Sequence, residues 1–190
     1  TGTISKRRGL ETMIDLACEV HARNRSETLS MIGICRYPDQ RARAERRLRR
    51  HDLDTRVDRV GWDEYVPASE MQSFYRDADV GLALCEPHPN LTGSLLTKFY
   101  EYLHHGLPII CSDFPLWRDF VAENDCGATV PSGNVSAVIE VLNRWQQNPD
   151  RYRELVENAR EAALKYRWKQ MGARLVAVYE DILSVDTIQS

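Results

Sequence analysis

The stretch Thr97-Lys98-Phe99-Tyr100-Glu101-Tyr102-Leu103-His104-His105-Gly106-Leu107-Pro108-Ile109-Ile110-Cys111-Ser112-Asp113 reads as a helix, a glycine stop, a short buried strand and a polar strand end. Leu95, Phe99, Tyr102 and Leu103 recur at helical spacing and form one apolar face. Gly106 suits the left-handed residue that closes a helix. Ile109-Ile110-Cys111 is short and uniformly apolar, the pattern of a strand covered on both faces. Ser94, Lys98, Glu101 and His105 fall on one polar stripe of the expected helix. A cation and a carboxylate near a helix start, beside the end of a parallel strand, suit a phosphate and a ribose.

The same alternation continues on both sides. Upstream, a helical stripe (Leu10, Met13, Ile14, Ala17, Val20) runs to about Asn24, followed by a strand over 28–35, a charged helix over 38–51 and a short strand over 57–60. Ser69 is expected to cap a helix carrying Met71, Phe74 and Tyr75 and ending near Asp77. Val80 to Cys85 reads as an apolar strand, and Glu86 to Gly93 as a polar loop. Downstream come a short helix over 115–123 and a last strand over 127–130. Three more helices follow: one from Asn134 or Ser136 to Gln147, one opened by Pro149, and one from Trp168 to about Leu183. Apolar strands alternating with helices predict an α/β fold, a Rossmann-like doubly wound parallel sheet with additional C-terminal helices.

The 190 residues suit a single domain spanning 1–190. Thr1-Gly2-Thr3-Ile4-Ser5 looks like the tail of a strand and its loop, so the chain reads as a fragment of a longer polypeptide. A charged fraction of 28% and a net charge of −3 are those of an ordinary soluble protein. No apolar run approaches the roughly 20 residues of a membrane span. Five scattered cysteines (Cys18, Cys35, Cys85, Cys111, Cys126) read as reduced core residues of a cytoplasmic protein, not as disulfides or a zinc site.

The loop Gly2-Thr3-Ile4-Ser5-Lys6-Arg7-Arg8-Gly9 places cations between a strand and a helix N-terminus, a plausible diphosphate cradle, although Lys6-Arg7-Arg8 alone is an ordinary solvated run. Glu101 alone is an ordinary helix-surface carboxylate, and His104 and His105 suit the helix C-terminal dipole as imidazolium. The arginines between Arg41 and Arg50 are diluted by acids and lack interleaved aromatics, which argues against nucleic acid as a partner.

Taken together, these segments resemble the C-terminal, nucleotide-sugar-binding half of a GT-B glycosyltransferase of the retaining family-4 (group 1) type. Gly2 through Arg8-Gly9-Leu10 resembles its glycine loop, and Val60-Gly61-Trp62 the turn after its third strand. Tyr75-Arg76-Asp77-Ala78-Asp79-Val80-Gly81-Leu82 resembles its Tyr-x-x-Ala-Asp-Val-x-Leu segment. Lys98-x-x-Glu101-Tyr102-Leu103 with Gly106-Leu107-Pro108-Ile109-Ile110 resembles its Glu-Ala/Tyr-x-x-x-Gly-x-Pro-Val-Ile segment. Cys126-Gly127 and Val130-Pro131 resemble its last strand, and Tyr166-Arg167-Trp168 with Tyr179 its C-terminal helix.

The resemblance implies that the diphosphate lies against Gly2, Arg8 and Lys98 and the main-chain N–H groups of Thr92, Gly93 and Ser94. It gives the ribose to Glu101, and the base to Gly61, Trp62, Tyr65 and Val66, with Tyr65 or Val66 against its face. It implies no resident metal and no cofactor beyond the nucleoside diphosphate sugar, which is the donor substrate. The partner is the N-terminal acceptor domain of the same enzyme, with peripheral association at the inner face of the membrane through that half. Two positions depart from the pattern. Gly93 stands where many members have a glutamate near the transferred sugar, and Thr3 replaces an arginine that often follows the first glycine. The activity implied is retaining transfer of a sugar to a hydroxyl in polysaccharide or glycolipid assembly. A sugar-nucleotide 2-epimerase shares the architecture, and a non-catalytic nucleotide-sugar-binding module is the third reading.

Overall fold

In a computed structural model, which describes residues 1–23 and 25–186, nine α-helices and five parallel strands alternate along the described residues. The order is a 3-10 turn at Lys6–Arg8, α1 (Leu10–Ala22), β1 (Leu29–Ile32), α2 (Pro38–Arg50), β2 (Val57–Val60) and α3 (Ala68–Arg76). Then come β3 (Gly81–Ala83), α4 (Pro89–Thr92), α5 (Thr97–His104), β4 (Ile109–Ser112), α6 (Pro115–Asn124) and β5 (Gly127–Val130). Helices α7 (Val135–Gln147), α8 (Pro149–Lys165) and α9 (Trp168–Asp186) complete the described chain.

The segment that decided the fold folds as its pattern requires. Gly106 adopts φ +67°, Gly106 N–H donates to Leu103 O at 2.9 Å and Leu107 N–H to Tyr102 O at 2.9 Å. Those two bonds form a Schellman closure of α5, which returns the chain into β4. Ile109, Ile110 and Cys111 are each 0% exposed, because helices cover both faces of β4. One face belongs to a cluster with Phe99, Tyr102 and Trp117, and the other, through Ile110, to a cluster with Leu16, Val20 and Val138. A third cluster around Leu10, Ile14, Met31, Leu48 and Trp62 holds α1 and α2 on the β1–β2 pair. All five cysteines are free thiols, four of them buried.

Helix starts follow side-chain chemistry where a cap residue is present. Asn134 accepts from Ala137 N–H at 3.0 Å and Asn148 from Arg151 N–H at 3.1 Å. Ser69 does not cap α3; Pro67 holds that position, and Ser69 sits inside the first turn. The polar loop after β3 contains α4, opened by the proline at 89 and by His88 accepting from Asn90 N–H at 3.2 Å.

The sheet departs from one continuous ladder. β1 pairs with β2, and β3, β4 and β5 pair in that order, every pairing parallel. Among the described residues β1 and β3 share no ladder bond. Residues 2–4 lie against the end of β1, where Ile4 N–H donates to Ile34 O at 2.9 Å.

Candidate functional site

The C-terminal ends of the strands carry the loops that form the site, the edge where parallel α/β sheets take ligands. The loop over 2–9 closes on this edge. Gly9 has φ +85°, and a Cβ there would collide with Leu84 O, so only glycine lets the loop lie against the end of β3. Glu86 N–H donates to Arg7 O at 3.0 Å and Lys6 N–H to Gln40 Oε1 at 2.8 Å, which fixes both sides of the turn. Lys6 and Arg7 are exposed and Arg8 is half-buried.

The charges of Arg8 and Lys98 both act on Cys85. Burial pushes the Cys85 thiol up, while the positive charges of Lys98 and Arg8 pull it the other way. Among the described residues, Lys6, Arg7, Arg8 and Lys98 form no ion pair. The arginines of α2 behave differently: Arg41 pairs with Asp63, Arg43 with Glu11, and Arg47 with Glu11 and Asp15. Cations left without carboxylates at a strand edge are a place for an anion.

Glu101 stands one helical turn beyond Lys98. The Tyr75 hydroxyl donates to Glu101 Oε2 at 2.7 Å, and desolvation with this acceptor beside it pushes the Tyr75 phenol up, far above its ordinary value. His105 stacks on Tyr75 with ring centroids 4.9 Å apart. Burial pushes the His105 imidazole down, assisted by His104 and Arg76 and opposed by Glu101, which disfavours the helix-end imidazolium its position suggested. Sequence reasoning placed Tyr75 on an apolar helix face and at the head of the Tyr-x-x-Ala-Asp-Val-x-Leu segment, and gave its hydroxyl no role. Its polar tip is set by the tertiary approach of α3 to α5, which no spacing within either helix reveals.

The strand ends are braced from below. Ser112 Oγ donates to Cys85 O at 2.7 Å, and Ser132 Oγ donates to the same oxygen at 2.8 Å. Trp117 Nε1–H donates to Ser94 O at 2.8 Å and ties the approach to α5 onto α6.

Three main-chain groups expected to meet phosphate are otherwise engaged. Thr92 N–H donates to His88 O at 2.9 Å, Gly93 N–H to Pro89 O at 3.3 Å and Ser94 N–H to Leu91 O at 3.4 Å, all within α4 and its end. Ser94 also precedes α5, whose N-cap is Leu96, so it lies outside the polar stripe expected of it. The N–H groups of Thr97 and Lys98, in the first turn of α5, have no partner among the described residues and are the donors that face outward there.

At the expected base site, Gly61 has φ +72° and packs against Val66. Trp62 is not a stacking platform. It is 5% exposed, belongs to the β1–β2 core, and its Nε1–H donates to Met31 O at 3.1 Å, because a buried indole must place its one donor. Tyr65, 75% exposed, is the aromatic ring that this loop offers to solvent.

The model of the family described as "Glycosyl transferases group 1" matches residues 1–162. The chain belongs to that family. Phosphatidyl-myo-inositol mannosyltransferase of Mycobacterium leprae is 28% identical over 108 residues, 56% of this chain and 28% of that protein. Sucrose-phosphate synthase of Thermosynechococcus elongatus superposes with a TM-score of 0.77 at 18% identity, covering 97% of this chain and 45% of that one. The C-terminal domain of the group 1 protein LpcC from Francisella tularensis gives a TM-score of 0.71 at 15% identity, covering 87% of this chain and 83% of that one. HepE from Anabaena, in complex with UDP, gives 0.70 at 14% identity, covering 93% of this chain and 48% of that one. The chain therefore spans less than half the length of the mannosyltransferase and the synthase, and it has the α/β architecture of a GT-B C-terminal domain.

Proposed function

We propose that this chain is the donor-binding half of a retaining glycosyltransferase that moves a sugar from a nucleoside diphosphate sugar to a hydroxyl acceptor. The observation that carries the reading is that two cations without an ion pair among the described residues, Arg8 and Lys98, act on the same strand-end residue, Cys85, with Glu101 one turn beyond Lys98 on α5. Arg8, Lys98 and the free N–H groups of the α5 first turn hold the diphosphate. Their charge stabilises it as the bond to the anomeric carbon breaks and the acceptor oxygen takes its place. Glu101, held by Tyr75, accepts from the ribose hydroxyls, and Tyr65 with Val66 borders the base. The scheme asks for no resident metal or cofactor, because the positive charge comes from side chains.

The acceptor half is an N-terminal domain of the same enzyme. Its products are polysaccharide or glycolipid, made in the cytoplasm at the inner face of the membrane, where the N-terminal half provides peripheral attachment. Among the described residues no helix is long and apolar enough to cross a membrane. A thermal-shift series with UDP, GDP, ADP and their common sugars tests the reading. Stabilisation by one diphosphate that is lost in Arg8→Ala supports it, and no stabilisation by any of them refutes it.

Gly93 favours a second reading, a nucleotide-sugar-binding module without transfer chemistry. A Cβ at Gly93 would meet only Pro89 O, at 3.4 Å, so a side chain fits there without disturbing the fold. Gly93→Glu should therefore fold normally. If it confers transfer in the two-domain enzyme that the natural chain lacks, the module reading stands; if the natural enzyme transfers sugar, that reading falls.

A further inference from the structure

Helix α2 carries six arginines, at 41, 43, 46, 47, 49 and 50, against two carboxylates, Asp39 and Glu45, in a chain whose net charge is −3. The fold sorts them by direction. Ala44 and Leu48 are buried and fix the inward face of α2. At about 100° per residue, Arg46 lies opposite the midpoint of those two, with Arg43, Arg49 and Arg50 within roughly 60° of it. Arg41 and Arg47 lie off that face, and both are paired: Arg41 with Asp63, and Arg47 with Asp15 and, at 2.7 Å, with Glu11. On the outward face Arg43 reaches Glu11 only at 3.5 Å with its side chain 68% exposed. Arg46, Arg49 and Arg50 are exposed and form no ion pair among the described residues.

Such a stripe works against its own helix. Arg46 stands four residues before Arg50, and three from both Arg43 and Arg49, and like charges at these spacings destabilise a helix. The dipole favours cations in the last turn, which accounts for Arg47, Arg49 and Arg50, but it does not extend to Arg43 and Arg46. The inward arginines meet carboxylates of this chain, so the outward ones are open to an anion from outside it.

The chemistry of the face selects that anion. A guanidinium offers a planar fork that fits a phosphate with two hydrogen bonds. Among the described residues of this face only Ala42 is apolar, so it lacks the aromatic and aliphatic anchors on which protein interfaces centre. It carries no aromatic ring on which a nucleic-acid base could stack. A bilayer asks for neither, because its headgroup phosphates move laterally and gather beneath a convex row of charge. The position also suits a surface contact. Gln40, in the first turn of α2, holds Lys6 N–H at 2.8 Å at the donor edge. Arg46 to Arg50 follow six to ten residues later, about 9–15 Å along the helix axis, which leaves that edge open.

We infer that the outward face of α2, through Arg43, Arg46, Arg49 and Arg50, docks this chain on an anionic lipid surface by charge alone. Each arginine near such a surface adds to the attraction, which fades within a Debye length. With no apolar anchor the attachment is reversible and peripheral. It adds to the attachment proposed for the N-terminal half and does not rest on the donor-site reading.

The test is co-sedimentation of the 190-residue chain with vesicles of phosphatidylcholine alone and of phosphatidylcholine mixed with phosphatidylglycerol. The chain should bind only the mixed vesicles, and raised salt should release it. The variant Arg46→Gln, Arg49→Gln, Arg50→Gln should lose binding by about tenfold or more. A charge-matched control, Arg144→Gln, Arg153→Gln, Arg160→Gln, removes exposed arginines of α7 and α8 and should keep it. Urea melts of all three chains check that each is folded, and the α2 variant should melt no earlier than the natural chain, since it relieves like charge. No binding to the mixed vesicles, or binding that salt leaves unchanged, overturns the inference. So does an equal loss in both variants, which would make the attraction one of bulk charge. Tighter binding to a single-stranded oligonucleotide than to the mixed vesicles also overturns it.

Discussion

Arg8→Ala is the perturbation that bears most directly on the proposed donor site. Arg8 is half-buried, forms no ion pair among the described residues, and acts with Lys98 on the same group, Cys85. Truncating it leaves no buried carboxylate unpaired, so the fold should be unharmed, and relief of like charge should if anything favour the empty protein. Binding should respond the other way. A charge-assisted hydrogen bond contributes roughly 1.5–3 kcal/mol, and partial exposure screens it, so about 1–3 kcal/mol of diphosphate affinity should be lost. That is roughly a five- to 150-fold rise in Kd. Calorimetric titration of UDP, GDP and ADP into both proteins measures it. Repeating the titration at higher salt should narrow the difference, since screening acts on the contact that was removed. An unchanged Kd with an unchanged melting temperature would refute the assignment of Arg8 to the diphosphate.

Three other outcomes follow from the same geometry. Glu101→Gln and Tyr75→Phe should each lower the preference for a ribonucleoside diphosphate over its 2′,3′-dideoxy analogue, the first more than the second, since Tyr75 acts only by holding the carboxylate at 2.7 Å; an unchanged preference in both folded variants would remove Glu101 from the ribose. His105, pushed down by burial, His104 and Arg76 and up by Glu101, is protonated more readily in the unfolded chain. Stability should therefore decline as pH falls below about 6.5, and urea unfolding of His105→Gln should show a shallower decline. The 190-residue chain should bind nucleotide but not transfer sugar, because transfer needs donor and acceptor held together and Leu175, Val178 and Ile182 on α9 stand more than half exposed; robust transfer to an acceptor extract by this chain alone would contradict the half-enzyme reading.

What was legible in the sequence was whatever local pattern alone determines. The α5 face, the left-handed Gly106 and the buried Ile109-Ile110-Cys111 run follow from spacing and backbone sterics, and Asn134 carries its own capping group. Ser69 has the same capping chemistry, yet proline at 67 holds the cap of α3 two residues earlier. Trp62 lies in a loop expected to meet a ligand, but the core under β1 has room for an indole and an acceptor in Met31 O. The Thr92–Ser94 donors were lost to α4, whose four residues are too few to show a period. Tyr75 on Glu101 and the gap between β1 and β3 depend on how distant elements meet, and no stretch of sequence contains either.

The double bracing of the Cys85 carbonyl has a consequence for selectivity. A peptide oxygen has two lone pairs, and Ser112 and Ser132 occupy both. The Cys85 carbonyl is therefore closed to any further donor, and a ligand hydroxyl that reaches this strand end must turn to another acceptor. The donor site proposed here is thereby spared a bare carbonyl oxygen, which would repel the phosphate oxygens of a nucleotide.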